Sequence, residues 1–264
     1  GFSVGDATAL EFADGFFDGA VTRLSLHHIP VPGRAIAELA RVVRLGGTVI
    51  VGDLVADEAD GDAAIWREEI ERLRDRALEA CGRIDVWINN AGRGISKRVM
   101  ELTDADFDEM MVVNVKSALY GMQAVVPHFQ QRGSGHLINV SSFLGRVPLV
   151  PIRSAYNAAK AALNALTANL RVDLKAEYPG IHVSLVMPGV VTTDFARNAL
   201  GAATAAGSAY RPPASAAQPQ TAEEVAAVIA RLIEHPQAEI FTNPAQIPIA
   251  RRYYEDVAAF EEQA

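Results

Sequence analysis

The chain reads as a doubly wound α/β protein, and three observations carry that reading. Short β-branched runs alternate with longer helical patterns, turn residues follow the strands, and half of the 264 residues are apolar, enough to cover a parallel sheet on both faces. The strand-like runs are "GAVTRLSL" (19–26), "GTVIVGDLV" (47–55), "IDVWINN" (84–90), "HLINVSS" (136–142) and "HVSLVMP" (182–188). Helical patterns fill the intervals at 33–45, 61–82, 104–131, 156–177 and 221–234. Two of these carry a capping box as a start signal, Thr103 with Asp106 and Thr221 with Glu224. The stretch "GAATAAGSAYRPPASAAQPQ" (201–220) has too few large side chains to build core and reads as a loop.

Charge and cysteine content narrow the function classes. A formal charge of −8 and a pI near 5.3, without any Lys/Arg run, argue against nucleic acid or an anionic membrane as the partner. Cys81 is the single cysteine, so an intrachain disulfide and a thiolate metal cluster are both excluded, as expected of a cytoplasmic protein. No apolar run approaches the roughly 18 residues of a membrane span, and "GFSVGDATALEFADG" has neither a basic nor an apolar leader region. The missing initial Met fits a chain that begins inside a longer reading frame.

The chemistry collects after the strands. Asn89-Asn90-Ala91-Gly92 and Pro188-Gly189 lie at predicted carboxyl ends, where ligands of such sheets gather. In "SAYNAAK" (154–160), Tyr156 and Lys160 stand four apart on one helix face. A phenol titrates near pH ~10 and needs a neighbouring cation before it can work as acid and base near neutrality, and Lys160 supplies one. Ser141 and Ser142 end the strand ahead of it, where a hydroxyl can hold a carbonyl or alkoxide oxygen against the phenol. Such a site interconverts a carbonyl and an alcohol. Each residue also has a plain structural reading: 89–92 as a turn, Asn114 as a helix residue bonded to backbone, Ser141 as a satisfied hydroxyl, and Pro188-Gly189 as loop punctuation.

In their order along the chain, "GRIDVWINNAG" (82–92), "NV" (114–115), "INVSS" (138–142), "YNAAK" (156–160) and "PGVVTT" (188–193) make residues 76–264 resemble the short-chain dehydrogenase/reductase family of classical type. The resemblance implies a Rossmann-like sheet with helices on both faces and hydride transfer between NAD or NADP and a small ketone or secondary alcohol. It implies Tyr156 as proton donor and acceptor, and Ser142 as the group that polarises the substrate oxygen. Lys160 is expected to hold the nicotinamide ribose and depress the tyrosine pKa, and Asn114 to help hold a relay water. Asn89, Ala91, Gly92, Pro188, Gly189, Val191 and Thr193 are expected to line the cofactor. Ser142 stands 14 residues ahead of Tyr156, one more than is common, with Pro148 and Pro151 between, so the choice between Ser141 and Ser142 stays open.

The front of the chain departs from that pattern. A dinucleotide site needs a strand and a glycine loop ahead of "NNAG". The nearest match, Gly1, Gly5 and Ala7, has no strand before it and reads as chance. Residues 1–75 resemble instead the second part of a class I methyltransferase that uses S-adenosylmethionine, through "VGDATALEFADGFFDGAVTRLSLHHIPVPGRAIAELARVVRLGGTVIVGDLVADE" and "WREEIERLRD". In that family Gly5-Asp6-Ala7 meets the adenine, but the strand and loop that grip the methionine end would precede residue 1, so neither S-adenosylmethionine binding nor methyl transfer is expected. Adjacent His27 and His28 point in different directions and lack a third ligand, so no metal is expected. Assigning Asp53 to the dehydrogenase's own adenine contact leaves too long an interval to Asn89. The sequence thus predicts a hybrid of two truncated Rossmann-type domains, 1–75 and 76–264, joined near 74–77.

Three functional readings follow: a short-chain oxidoreductase with an incomplete cofactor site, a catalytically silent chimera or scaffold, and a methyltransferase fragment. The helices at 107–129 and 158–174 are apolar on more than one face, which predicts a homodimer or tetramer, or else a deeply buried pair in a monomer.

Overall fold

Runs of Val, Ile and Leu that alternate faces with every residue build the centre of the molecule. The computed structural model describes residues 8–23, 32–52, 63–193, 195, 199–201 and 218–262. Gly1, Gly5-Asp6-Ala7, His27-His28, Asp53 and most of the 201–220 loop, singled out above, lie outside the described residues.

The elements run β1 (Phe17–Arg23), α1 (Pro32–Val42), β2 (Val43–Gly52), α2 (Ala63–Cys81), β3 (Val86–Asn89), α3 (Asp104–Met111), α4 (Ser117–Arg132), β4 (Gly135–Val140), α5 (Ser154–Lys175), β5 (Ile181–Met187), α6 (Ala222–Glu234), β6 (Glu239–Phe241), α7 (Gln246–Glu255) and α8 (Val257–Glu261). Strands β3-β4-β5-β6 form one parallel sheet in that order, with Asn89 opposite Asn139 and Val140 opposite Val186. On one face Leu137 and Val183 pack with Met122, Val125 and Phe129 of α4 and Leu163 of α5. On the other, Ile138 and Val186 pack with Leu232 of α6. Helices therefore cover both faces, as the sequence predicts. Both capping boxes form, Thr103 Oγ1 accepting from Asp106 N and Thr221 Oγ1 from Glu224 N, each at 3.2 Å.

The front differs from a continuous hybrid sheet. β1 and β2 pair in parallel as a separate ladder, and β2 and β3 share no hydrogen-bonded register among the described residues. β2 nevertheless runs close beside β3, and α2 adds side-chain packing between the parts. Its Leu73 and Ala80 pack against Ala35 and Ile36 of α1, and its Trp66 and Ile70 pack against Val112, Tyr120 and Ala124 beside β3. The join placed near 74–77 by sequence thus falls inside one uninterrupted helix. The surplus apolar surface of α4 is taken up in part by this same helix, within the chain.

The long helix predicted over 104–131 is interrupted. Residues Val112–Lys116 form a π turn in which Ser117 N donates to Val112 O. The side chain of Asn114 donates to Met110 O at 3.0 Å, competing for a carbonyl that a regular helix reserves for backbone. Two turns later Gly121 lies against β3, where Trp87 Nε1 donates to Asn89 Oδ1 at 2.7 Å and a Cβ on Gly121 would overlap the Asn89 carboxamide. Gly121→Ala is expected to lower stability by about 1–3 kcal/mol through that overlap, despite the better helix former. Urea unfolding measures it, and an unchanged midpoint would contradict the close approach.

No helix among the described residues is long and apolar enough to cross a membrane, and no group of three His, Cys, Asp or Glu there is placed to hold a metal ion.

Candidate functional site

β4 and α5 meet at the carboxyl end of the sheet, and their joint places the reactive groups. Lys160 is 2 % exposed, and its Nζ donates to Val140 O, the last residue of β4, at 3.0 Å. Next along, Ser141 Oγ donates to Lys160 O at 3.2 Å and to Asn164 Oδ1 at 2.5 Å, so its hydroxyl is spent on the scaffold. Ser142 turns the other way. Its hydroxyl accepts from Leu144 N at 3.1 Å and lies close enough to the Tyr156 phenol to favour the phenolate. Of the two serines, Ser141 is thus bonded to α5 while Ser142 stands on the side of the phenol. The long interval to Tyr156 is taken up by a wound loop, a tight helical turn at Phe143–Gly145 and a second turn closed by Arg153 N donating to Val150 O.

Tyr156 is buried among Ile95, Met110 and Ala155, with the Phe195 ring 5.4 Å from its own. Lys160 Nζ stands 5.7 Å from the tyrosine ring centre. Burial pushes the phenol up to about 12, against the weaker pull of the Ser142 hydroxyl and the Arg153 charge. In the chain by itself, burial outweighs any neighbouring charge on the phenol. Loss of solvent dominates, the cation drawing on the phenol is Arg153, and the Lys160 ammonium is turned toward Val140 O. Burial also brings Lys160 down to about 8, so it keeps its proton at neutral pH.

The remaining predicted residues fall into two groups. Asn114 is fully buried and ties down the loop after β3, donating to Arg93 O at 3.0 Å and accepting from Arg93 N at 3.2 Å. A Cβ on Gly92 would come within 3.1 Å of Asn114 Oδ1 and 3.3 Å of Lys160 Nζ, so Gly92 keeps open the space in front of both. Ala91 and Gly92 are half-buried beside it. The Asn89 side chain, by contrast, is absorbed into the scaffold: it accepts from Trp87 and donates to Asn139 Oδ1 at 2.8 Å and Ala118 O at 3.3 Å, leaving its backbone for any ligand. Pro188 O accepts from Phe143 N at 2.8 Å, and Gly189 lies against the buried amide of Gln246. Val191 bridges Gln220, and Thr193 is exposed with its hydroxyl accepting from Phe195 N at 3.4 Å. These four line the loop beyond β5, on the same carboxyl side as Tyr156.

Sequence reasoning missed Arg153 and Phe195. Arg153 was readable as the residue three before Tyr156, hence on its helical face. Phe195 carried no signal, since a loop aromatic has no period.

A family model described as short chain dehydrogenase matches residues 54–204, more than half of the chain. The chain belongs to the short chain dehydrogenase family. A second model, described as a methyltransferase domain, matches residues 1–51. The dehydrogenase match therefore takes in α2. Among curated proteins the chain is similar to an uncharacterized oxidoreductase of Bacillus subtilis (strain 168), 33 % identical in an alignment of 202 positions that covers 72 % of this chain and 54 % of that protein. It is also similar to an uncharacterized oxidoreductase of Staphylococcus aureus (strain N315), 34 % identical over 48 % of this chain and 54 % of that one. The chain spans about half the length of these relatives. Among solved structures, a short chain dehydrogenase from Burkholderia cenocepacia J2315 in complex with NADP is 26 % identical, with a TM-score of 0.61 over 95 % of this chain and 97 % of that one. A short chain dehydrogenase/reductase from Burkholderia phymatum in complex with NAD has the same fold, with a TM-score of 0.65, 23 % identity and 95 % and 96 % coverage.

The buried ammonium gives a stability test. Folding strips water from Lys160 without offering a carboxylate, so Lys160→Met is expected to stabilise the chain at pH 7 by about 2 kcal/mol net of the lost bond to Val140 O. From pH 8 to the ordinary lysine value of 10.5 the unfolded chain holds a proton that the folded chain has shed, so the parent gains stability as pH rises through that window. The advantage of the variant should shrink accordingly, and a thermal-unfolding series with a constant difference across that range would contradict it.

Proposed function

We propose that this short chain dehydrogenase acts as an NAD(P)-dependent oxidoreductase that interconverts a ketone and a secondary alcohol, with a weakened cofactor site. One observation carries the reading: Tyr156, Ser142 and the buried Lys160 converge at the carboxyl end of a parallel sheet, behind space that Gly92 keeps open.

The donor set suits the nicotinamide end of such a cofactor. Lys160 offers a buried ammonium, Gly92 and Ala91 offer close backbone, and Val191 and Thr193 offer loop backbone and a hydroxyl. When bound, the cofactor supplies the hydride. Ser142 holds the substrate oxygen by hydrogen bonding, and Tyr156 delivers a proton to it. A phenol held near 12 is loaded with its proton at neutral pH, the form that donates to a carbonyl oxygen. The reverse step needs the phenolate, which the neighbouring Lys160 and Arg153 charges favour once the site is filled. Asn114 keeps the loop carrying Arg93 in place around this centre.

Among the described residues no comparable set is placed for the pyrophosphate end. The methyltransferase-like match occupies residues 1–51, where a dehydrogenase of this family has its first strand and glycine loop, and β1 and β2 form a ladder of their own. Weak nicotinamide nucleotide binding is therefore expected. Calorimetric titration of NADH and NADPH should give saturable binding weaker than micromolar, weakened further in Lys160→Ala, and turnover of a ketone should fall about a hundredfold or more in Tyr156→Phe. Submicromolar binding would overturn the weakened site. No binding to the folded chain, with parent and Tyr156→Phe alike, would replace the enzyme reading by that of a silent scaffold.

A further inference from the structure

Arg153 stands immediately ahead of α5, three residues before Tyr156, with a guanidinium only half used. Nη1 donates to Ile95 O at 3.0 Å and to Ser96 Oγ at 3.4 Å, which fixes one edge of the group. Its central carbon lies 6.0 Å from the Phe195 ring centre, and that ring in turn packs on Tyr156. Among the described residues Nε and Nη2 have no hydrogen-bond partner and no carboxylate pairs with the group; Asp194 lies outside the described residues. The buried side-chain atoms without partners are His136 Nδ1, Asn157 Oδ1 and Gln246 Oε1, so the unused nitrogens of Arg153 open onto accessible space rather than core. Burial opposes the charge of this guanidinium. A half-buried cation without a counter-ion is costly unless the site takes one from outside.

We propose that Arg153 is the anion-recognising residue of the substrate site, and that the substrate is a short keto or hydroxy acid whose carboxylate docks on the Nε/Nη2 edge. The proposal rests on the oxidoreductase reading for the identity of the reacting group. The free edge of a guanidinium presents two parallel N–H donors, the geometry that takes both oxygens of a carboxylate. Phe195, Leu144 and Leu200, partly buried around Tyr156, furnish an apolar wall for a short carbon chain between the carboxylate and the oxygen at Tyr156 and Ser142. A neutral ketone would leave the guanidinium unpaired, and that difference is the source of selectivity.

The test compares pyruvate, acetoacetate and laevulinate, each beside its methyl ester, in parent, Arg153→Gln and Arg153→Lys. The parent is expected to favour at least one acid over its ester by about tenfold to a hundredfold in kcat/KM, chiefly through KM. Arg153→Gln should erase that preference, and Arg153→Lys, which keeps the charge, should retain part of it. Equal use of acid and ester by the parent overturns the proposal. Should the parent turn over none of them, the oxidoreductase reading fails, and the anion site is judged separately by saturation-transfer NMR with sodium butanoate. Binding to the parent that is lost in a folded Arg153→Gln, or weakened in Arg153→Lys where the glutamine variant does not fold, supports the site. Absence of butanoate binding to the folded parent overturns it.

Discussion

The joint between the end of β4 and the first turns of α5 holds every reactive group in place. Lys160 is gripped at both ends, its ammonium by Val140 O and its backbone carbonyl by Ser141. Asn164, one turn on, receives the Ser141 hydroxyl and donates to Gly145 O at 3.0 Å, binding the loop after β4 to the same helix. Ser142, the next residue, is held by Leu144 N on the side of Tyr156. Beneath the joint a second relay runs from Asn89, which is half-buried, to fully buried groups: Asn89 donates to Asn139, Asn139 to Thr167 Oγ1, and Thr167 to Leu163 O, linking β3, β4 and α5. Polar chains of this kind are costly when half made, so they lock one arrangement of strands against its alternatives. The sheet is thus specified by side-chain amides as much as by its ladder.

The front segment is attached by a different principle. β2 lies close beside β3 without a hydrogen-bonded register among the described residues, and α2 supplies the side-chain packing, its apolar residues facing α1 on one side and α4 with β3 on the other. Arg67 lies 4.3 Å over the Tyr120 ring and Arg74 donates to Ala124 O at 3.3 Å, reinforcing the second of these contacts. Helix packing of this sort needs apolar stripes of the right width and no match of register, which makes it more permissive of a foreign partner than strand pairing. A methyltransferase-like strand pair could therefore be accommodated beside a dehydrogenase sheet without rebuilding that sheet's hydrogen bonds.

Most of this was legible in the chain because it depends on local pattern. β3, β4 and β5 announce themselves as β-branched runs, and α6 by its capping box. β6 is only three residues, Glu239-Ile240-Phe241, and α7 follows Pro244 and Ala245 with no side-chain cap, so neither offers a pattern to read. The π turn at Val112–Lys116 hides for another reason: it arises from what Asn114 bonds across space, and nothing in its neighbours' identity encodes that. In the site, the spacing of Tyr156 and Lys160 was readable, but the balance of effects on the phenol was not. A spacing gives proximity of charge, whereas the loss of solvent that outweighs it is a property of the whole packed pocket. Asn89 shows the same limit in reverse, since its side chain is turned to the scaffold by partners fifty residues away in Asn139 and near the start of α4 in Ala118.

The two cations around Tyr156 need not act alike. Lys160 is enclosed, 5.7 Å from the ring centre, whereas Arg153 is reachable along its unused edge. In the proposed reading, a substrate carboxylate neutralises Arg153 and cancels its pull on the phenol. The phenol then holds its proton more tightly, with Lys160 still beside its ring. A substrate lacking the acid leaves Arg153 positive, and Tyr156 keeps its proton at neutral pH in either case. Recognition of the substrate and a fine adjustment of the phenol's proton affinity then fall to one side chain, three residues ahead of the tyrosine on which both converge.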